Sequence, residues 1–473
     1  MGQYVDGLRT PLVIHPEGAD QHYKYDEDYT VVLGDWYHDL HHNLLTEKFL
    51  ASSNPTGAEP VPQSALLYIA STPSNGSAAA YLPGFNENVT VAFVPGRTYR
   101  FRIINMSALA MFHFYIDGHD MRIIETDGID TEETPVDSFP ISAAQRYSVL
   151  VTARNDTTKD WKIHAQMDPD MFDVVPPELQ LAVTARISYA NTPQDFGEEK
   201  TFTGDSEDEL PNGAMGFPYF DDTAIAPLMP EAPLSPSLSF NLSVAFNTYR
   251  DNRNYATFND IVYSMPDTPS LLTQLTLGDG YGPTVNAFSA DHLQVVEIVI
   301  INTDAGTHPF HLHGHAFQVV QKSMDVTLPA PEINANPMRR DTVVVPPGGS
   351  ATLRFVADNP GAWFLHCHIE WHLQSGLAAV FLSSTPELQA RMKPPSFVAD
   401  QCRAQKISPT GNAAGINSTT DFGATQFFIP TMFPTGWTPN AVGTFVGCAL
   451  AAIIGLGSVL YYGWSEPLPS AEL

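Results

Sequence analysis

Recurring apolar runs rich in β-branched and aromatic residues constrain the fold of this chain more than any other feature. Each run has the length and composition of one or two β-strands. Turns that contain Pro and Gly, such as 94–97 and 346–349, separate consecutive runs. A turn followed by an alternating strand occurs once in each half of the chain. The pattern predicts an all-β fold with two similar sandwiches, built on the runs 29–37, 88–105, 145–153, 293–302, 341–357 and 376–382.

The charge of the chain excludes one class of partner. Its 473 residues carry 23 Lys and Arg against 52 Asp and Glu, a formal charge of −29. Nucleic-acid binding needs a basic face, so we expect no nucleic acid partner. Acids and prolines are concentrated in 191–236, which predicts a solvated, acidic linker between the two sandwiches.

The C-terminal region contains an uncharged segment of 24 residues, 441–464. This length exceeds that of ordinary core helices and predicts a transmembrane helix, with a buried helical hairpin or a discarded anchor signal as alternatives. The preceding region, 396–440, is rich in Ser, Thr, Asn and Pro and predicts a stalk. Six glycosylation sequons precede the span and predict an extracellular body with a cytoplasmic tail over 465–473: Asn75, Asn88, Asn105, Asn155, Asn241 and Asn417.

Seven of the 16 histidines lie in two short clusters, HPFHLHGH at 308–315 and HCHIEWH at 366–372. Imidazole together with one thiolate suits copper, and His308, Cys367 and His372 supply the two nitrogens and one sulfur of a trigonal blue-copper site. Zinc is the main rival, but a zinc site does not need a cysteine flanked by two histidines. Copper is therefore the favoured metal.

The spacing within each cluster predicts that it serves two metal sites. Successive side chains of a strand point to opposite faces. In an extended 366–368 segment, the two histidines therefore face one way and the cysteine faces the other. In the first cluster His311 and His313 share a face, and His308 lies on the opposite one. The blue-copper ligand Cys367 is thus one residue away from ligands of a second, multi-copper site.

The two clusters resemble the third and fourth copper motifs of the multicopper oxidases. NPTGAEP at 54–60, MRRDT at 338–342 and the C-terminal span resemble fungal plasma-membrane ferroxidases of high-affinity iron uptake more than secreted laccases. The resemblance covers residues 2–464. It implies tandem cupredoxin-like Greek-key β-sandwiches plus one C-terminal transmembrane helix, with a second cupredoxin-like domain over 19–190 and a third over 237–395.

The resemblance also implies the copper ligands. The type 1 copper takes His308, Cys367 and His372, and Leu377 occupies the axial position as a non-ligand, which should raise the redox potential. Glu370 resembles the acid that supplies protons during dioxygen reduction, and His315 has at most an indirect role. Four histidines are assigned to the trinuclear cluster: His311 at the type 2 copper and, at the type 3 pair, His313, His366 and His368.

Four further residues match the iron site of the ferroxidases by resemblance: Glu59, Asp173 and Asp304 as carboxylates, and Tyr255 as a neighbouring aromatic. Carboxylates bind ferric iron better than ferrous iron and so favour loss of the electron. The expected substrates are Fe(II) and dioxygen. The expected partners are a membrane iron permease and the lipid bilayer, at the plasma membrane.

The chain departs from the family pattern in its number of copper motifs. Complete multicopper oxidases have four such segments, whereas only two occur here, and His38, His41 and His42 have the wrong spacing. Residues 1–18 resemble the stretch that follows the second copper motif. We therefore expect a missing N-terminal cupredoxin domain, an incomplete trinuclear site, and a former disulfide partner of Cys402 in that domain. Two alternatives to a ferroxidase follow: a non-catalytic copper-binding membrane protein or permease partner, and a laccase-like phenol oxidase.

Overall fold

The computed structural model describes residues 2–15, 22–72, 79–156, 158–189, 195–202, 216–432 and 437–464. Residues 1–430 and 431–473 form two separate compact units. Three expectations lie outside the described residues: the sequon at Asn75, the tail over 465–473, and the part of the acidic linker that contains Asp205, Glu207, Asp208 and Glu209.

The first sandwich of the larger unit contains a seven-stranded sheet, in the order β3-β2-β1-β5-β10-β7-β8, and a five-stranded sheet, in the order β4-β12-β11-β6-β9, within the described residues. Strand β1 pairs antiparallel with β2 and parallel with β5. The strands are β1 Glu27–Trp36, β2 Ser64–Ser71, β3 Ala80–Tyr81, β4 Thr90–Ala92, β5 Thr98–Asn105, β6 Phe112–Ile116, β7 Met121–Thr126, β8 Ile129–Val136, β9 Phe139–Ile141, β10 Arg146–Thr152, β11 Trp161–Met167 and β12 Ala182–Ser188.

The second sandwich contains a six-stranded sheet, β14-β13-β16-β21-β18-β19, and a five-stranded sheet, β15-β23-β22-β17-β20, in the described part of the chain. Every second residue of β16 and β21 is buried, as the strand period requires. The strands are β13 Leu238–Thr248, β14 Asn254–Phe258, β15 Ala287–Ala290, β16 Val295–Asn302, β17 His308–Leu312, β18 Phe317–Ser323, β19 Arg339–Arg340, β20 Thr342–Val345, β21 Ser350–Val356, β22 Gly361–Cys367 and β23 Ala378–Ser383.

Helices are short in the larger unit. They are α1 His41–Asn43, which continues into a π-helical turn at Leu44–Phe49, α2 Ser270–Thr276, α3 Glu370–Gln374, α4 Thr385–Arg391 and α5 Ser396–Ala404. Single 3₁₀ turns occupy Gly2–Tyr4, Asn86–Asn88, Pro169–Met171 and Asp222–Ala224. The predicted all-β fold with tandem sandwiches is confirmed.

One continuous apolar core includes buried side chains of both sandwiches. Trp371 of the second sandwich is fully buried against Tyr37, His41 and Phe49 of the first. The buried Arg340 guanidinium reaches across the same interface to Asp127 at 2.8 Å. Because these contacts are buried, the two sandwiches are held in a fixed relation, and a site between them can be built from both.

Two expectations about the connecting segments are wrong. Asp222, expected in a solvated linker, is buried and pairs with Lys322 at 2.8 Å and with Arg340. The expected stalk over 396–440 does not begin at 396, because α5 buries Cys402 and the following segment buries Asn412 and Ala413. The backbone N–H of Ala413 donates to the carbonyl of Gly280. Ser, Thr and Asn content indicated a stalk, but the buried Asn412 side chain bonds to neighbours within its own folded segment, Ala414, Ile416 and Asp421.

The smaller unit contains helix α6, Pro439–Trp464, a helix of 26 residues whose most apolar 18-residue stretch has a mean hydropathy of 2.0. The helix is long and apolar enough to cross a membrane. In the larger unit four sequon asparagines are exposed, at Asn88, Asn155, Asn241 and Asn417. Asn105 is different, because its buried amide donates to the carbonyls of Ala110 and Ile141 and is therefore closed to glycosylation.

Candidate metal centre

His308, Cys367 and His372 converge in the second sandwich. His308 is the first residue of β17 and Cys367 the last of β22, and these strands are paired, whereas His372 lies on α3. The Cys367 sulfur lies 3.5 Å from Nδ1 of His372 and 3.9 Å from Nδ1 of His308, and the two Nδ1 atoms are 3.0 Å apart. All three residues are buried. One metal ion can be reached by all three donors.

Two carboxylates determine which ring nitrogens face this centre. His372 Nε2 donates to Glu59 at 2.6 Å, and His308 Nε2 donates to Asp304 Oδ2 at 3.0 Å. A carboxylate only accepts, so each Nε2 carries the hydrogen and each neutral ring has its lone pair on Nδ1. Both Nδ1 lone pairs therefore converge beside the thiol, which is the arrangement that a metal ligand set requires.

The electrostatics of the centre favour the thiolate. Burial alone would raise the pKa of Cys367, but its contacts with His308 and His372 outweigh burial and lower the pKa to about 7. The thiolate is the metal-binding form of cysteine. Two imidazoles and one thiolate are the donors of a trigonal copper site. The residues present therefore fit copper.

Leu377 and Phe246 contact residues of this centre. Leu377 is fully buried, its N–H donates to the His372 carbonyl, and its own carbonyl accepts from the Cys367 N–H. Phe246 of β13 stacks on His308 with 5.3 Å between ring centroids and meets His372 edge-on at 4.8 Å. The Leu377 side chain carries no donor atom. Sequence reasoning did not identify Phe246, because no local motif marks an aromatic residue in a distant strand.

A second group of four histidines gathers on the other side of β17 and β22. Nε2 of His313 lies 3.1 Å from Nε2 of His366, and the His311 ring is within 6 Å of the other three ring centroids. Strand alternation thus separates the two groups as the sequence spacing predicts. The group consists of His311, His313, His366 and His368.

The ring nitrogens of this second group suit metal binding. Nδ1 of His311 and Nδ1 of His366 donate to backbone carbonyls, which leaves each Nε2 with a lone pair. Among the described residues, the buried Nδ1 of His368 has no hydrogen-bond partner. Burial and neighbouring imidazoles lower the pKa of His313 and of His368 to about 4. These rings are therefore neutral and available as copper ligands near neutral pH.

The predicted iron-site residues fall into two groups. Glu59 and Asp304 contact His372 and His308 of the His–Cys–His centre, as described above. Burial, followed by repulsion from Glu59, raises the pKa of Asp173, which places this acid in the same electrostatic neighbourhood. Tyr255 instead donates its hydroxyl to Asp251 at 2.8 Å and packs on Tyr249. No described hydrogen bond joins Tyr255 to the three acids.

Glu370 has a buried neighbour, His41, that no sequence motif indicates. Oε1 of Glu370 accepts from Gln374 and lies 3.0 Å from Nε2 of His41, whose ring stacks on Trp371. His41 has the wrong spacing for a copper motif. The structure places it beside the predicted proton-supplying acid, across the interface of the two sandwiches. His315 packs against Phe355 and lies 3.4 Å from the His313 carbonyl.

Known proteins share this architecture and sequence. Multicopper oxidase family models match residues 27–192 and 252–387. The iron multicopper oxidase fer1 of Mycosarcoma maydis is 51% identical over 98% of this chain and 74% of its own length. The iron transport multicopper oxidase fio1 of Schizosaccharomyces pombe is 39% identical over 100% of this chain and 73% of its own length.

A solved structure agrees with these matches. The crystal structure of Fet3p, described as a multicopper oxidase that functions in iron import, has a TM-score of 0.76 and 35% identity, over 87% of this chain and 76% of that one. Sequence and fold comparisons thus agree with the donor set at the His–Cys–His centre. The chain belongs to the multicopper oxidase family and is a copper-dependent oxidoreductase.

Proposed function

We propose that this protein oxidises ferrous to ferric iron and transfers the electrons to dioxygen. The observation that carries the proposal is the pair of carboxylates on the blue-copper histidines, Glu59 on His372 and Asp304 on His308. A carboxylate has two oxygens, so one can bind a hard cation while the other accepts the imidazole N–H. Iron bound there lies one hydrogen bond away from a copper ligand. The names of the relatives, which are iron oxidases, support the same substrate.

The copper sites follow the same assignment. His308, Cys367 and His372 would hold the type 1 copper, His311 the type 2 copper, and His313, His366 and His368 the type 3 pair. When bound, copper accepts one electron from each ferrous ion and delivers four electrons to dioxygen, which with four protons gives water. Glu370, which lies 3.0 Å from His41, would supply those protons. The Leu377 side chain would offer the type 1 copper no further donor atom.

Each carboxylate favours the forward electron transfer in two ways. The negative charge attracts ferrous iron, and oxygen ligands stabilise the ferric product more than the ferrous substrate. Contacts with His308 outweigh burial and lower the pKa of Asp304 to about 2, so this acid is ionised at all physiological pH values. Asp173 adds negative charge near Glu59. The formal charge of −29 on the whole chain would also attract cations.

We further propose that the protein acts at the plasma membrane, with α6 spanning the bilayer once and the body outside. The apolar helix and the four exposed sequons support this orientation. Ferric iron would then pass to a membrane iron permease.

The test uses the first electron transfer alone, so that it does not depend on dioxygen reduction. Oxidised, copper-loaded protein is mixed with ferrous iron without oxygen, and the loss of blue absorption is followed by stopped flow. We expect Glu59→Gln combined with Asp304→Asn, which keep an oxygen to accept each imidazole N–H, to abolish reduction by ferrous iron but to preserve the blue absorption and reduction by an aryl diamine. Asp291→Ala, which removes an exposed acid before β16, is the matched control. Unchanged kinetics with ferrous iron in the double variant would overturn the proposal.

Copper stoichiometry tests the alternative functions. Among the described residues, the His–Cys–His centre is the one group of three donors close enough to hold a single ion. About one copper per chain would favour a copper-binding surface protein or permease partner, and four would favour the oxidase. A laccase-like phenol oxidase would instead show efficient reduction by phenols that is insensitive to Glu59 and Asp304.

A further inference from the structure

Glu59 belongs to the first sandwich but acts on a histidine of the second, so its loop must be held across the interface. We propose that the β13–β14 hairpin of the second sandwich holds the Glu59 loop, residues 50–60, and that Thr248, Asn252 and Asn254 are positioning residues for the iron site. The expected effect on iron oxidation rests on the proposed ferroxidase function. The hydrogen bonds between the hairpin and the loop do not depend on that function.

Three side chains of the hairpin donate to three backbone carbonyls of the loop. Thr248 Oγ1 donates to the Pro55 carbonyl at 2.6 Å. The Asn252 and Asn254 amides donate to the carbonyls of Ser52 at 2.5 Å and Thr56 at 3.2 Å, respectively. The acceptors span five consecutive residues of the loop, so the hairpin fixes its course and not merely one point. A loop carbonyl left without a partner would otherwise have to turn towards water.

The hairpin is shaped to present these donors. Its turn is closed by the Tyr249 N–H, which donates to the Arg253 carbonyl. Asn252 has a φ of 60°, in the left-handed region that asparagine tolerates better than most residues. The same residue thus makes the turn and reaches the loop.

The loop is shaped to fit closely against the hairpin. Gly57 has a φ of 78°, and a Cβ atom there would lie 2.8 Å from the Asn254 side chain. Only glycine accommodates both the backbone conformation and the close approach. Within the loop, the Asn54 amide donates to the carbonyls of Phe49 and Ala58, and its oxygen accepts from the Ala58 N–H. The segment that immediately precedes Glu59 is therefore fixed both internally and from outside.

The expected consequence is a precisely placed carboxylate. The Glu59–His372 hydrogen bond joins the loop 50–60 to helix α3. Without the hairpin contacts, the loop could shift relative to α3. Displacement of a reacting group by about 1 Å can cost on the order of a hundredfold in rate. Loosening the loop should therefore slow the reduction of the blue site by ferrous iron. Reduction by substrates that do not use Glu59 should be unchanged.

The test variant combines Thr248→Val, Asn252→Gly and Asn254→Ala in the full chain. Valine preserves the shape of threonine, and glycine tolerates the left-handed turn, so each change removes mainly a donor. Asn259→Gly is the matched control. Asn259 also has a positive φ, 52°, and its amide donates to the Asn241 carbonyl, but it does not contact the loop.

Two measurements are compared. The first is hydrogen exchange of the amides in 51–60, in metal-free and in copper-loaded protein. The second is anaerobic reduction of the blue site by ferrous iron and by an aryl diamine. In the triple variant we expect faster hydrogen exchange in 51–60. Reduction by ferrous iron should be about tenfold to a hundredfold slower, which is the range expected for a misplaced reacting group. The reaction with the diamine should be unchanged. The control variant should match the unmodified protein in both.

The outcomes separate this inference from the proposed function. Unchanged exchange and unchanged iron kinetics in the triple variant, together with slow kinetics in Glu59→Ala, would overturn the hairpin's role and leave the ferroxidase intact. Unchanged iron kinetics in Glu59→Ala would overturn the ferroxidase, while hydrogen exchange would still decide whether the hairpin holds the loop. If the triple variant does not fold, the three single variants are measured instead, and unchanged exchange in all three would overturn the hairpin's role.

Discussion

Glu59 accepts a hydrogen bond of 2.6 Å from Nε2 of His372, although 313 positions separate the two residues in the chain. Asp304 contacts His308 in the same way from only four residues away. Each contact directs the lone pair of one imidazole towards Cys367. The two acids therefore orient both imidazoles of the His–Cys–His centre and, under the proposed function, would also provide oxygen atoms for iron.

Glu59→Gln should separate these two functions. The glutamine oxygen can still accept the His372 N–H, so we expect copper binding and the blue absorption to persist. Loss of the negative charge should raise the redox potential of the copper site and slow reduction by ferrous iron by about tenfold to a hundredfold, as expected for about 1.5–3 kcal/mol from a charged hydrogen bond. A redox titration and anaerobic stopped flow measure the two effects. A potential that falls, or unchanged iron kinetics, would contradict the argument.

Cys367→Ser should abolish the blue absorption, because the colour of such sites requires the thiolate. Serine has nearly the same size, and the site is fully buried. We therefore expect the far-ultraviolet circular dichroism to be unchanged and the copper content to fall by about one ion per chain. Cys402→Ser is the control, since Cys402 is also a buried free cysteine but lies on α5 and is not one of the three converging donors. Blue absorption that survives in Cys367→Ser would show that the metal centre is elsewhere.

Leu377→Met should add a weak thioether donor at the axial position and lower the redox potential of the copper site. Leucine-to-methionine exchanges conserve volume and usually cost less than about 1.5 kcal/mol. The backbone of Leu377 is bonded to both His372 and Cys367, so the new side chain should stay beside the metal. Leu353→Met, at a buried position of β21, controls for stability. The potential is read by redox titration, and a rise would contradict the axial assignment.

The sequence predicted the convergence of His308, Cys367 and His372 because these residues fall in two short segments of distinctive spacing. Alternation along β17 and β22 placed the two histidine groups on opposite sides, and the single cysteine between histidines indicated copper. The contacts of Phe246 and His41 depend instead on strand pairing and on the interface of the two sandwiches. The residues that flank Phe246 and His41 in the sequence do not indicate which distant side chains these two will contact. Such tertiary contacts cannot be read from local spacing.

Charge patterns were less informative than ligand spacing. Asp222 lies among acids that indicate a solvated linker, but its partners Lys322 and Arg340 are about a hundred positions away. The polar segment after 395 resembles a stalk by composition, whereas Asn412 is fully buried. Composition measures the polarity of a segment, but burial also depends on partners that the rest of the chain provides.

Arg340→Met should destabilise the protein strongly. The guanidinium is fully buried and pairs with Asp127 of the first sandwich and Asp222 of the connecting segment. Methionine leaves both carboxylates without this partner, and removal of one member of a buried ion pair typically costs about 3–5 kcal/mol. Urea denaturation of the larger unit measures the loss. Arg403→Met is the control, because its pair with Asp400 is exposed and should contribute less than about 1 kcal/mol.

The same network should make part of the stability dependent on pH. Burial alone would raise the pKa of Asp222, but attraction to Lys322 and Arg340 outweighs burial and holds the pKa below its usual value. A carboxyl group whose pKa is lower in the folded state contributes stability above its unfolded pKa of about 3.9. That contribution is lost as the pH falls through the lower, folded pKa.

Asp222→Asn removes this titration and allows its size to be measured. At neutral pH the variant should be less stable than the unmodified protein, because Lys322 and Arg340 lose a charged partner. As the pH falls below about 4, the unmodified protein loses the contribution of Asp222 and the two stabilities should converge. Denaturation midpoints measured from neutral pH to about pH 2 follow the convergence, with Asp291→Asn as a control for an exposed acid. A stability difference that stays constant over this range would show that Asp222 is not the ionised member of the network.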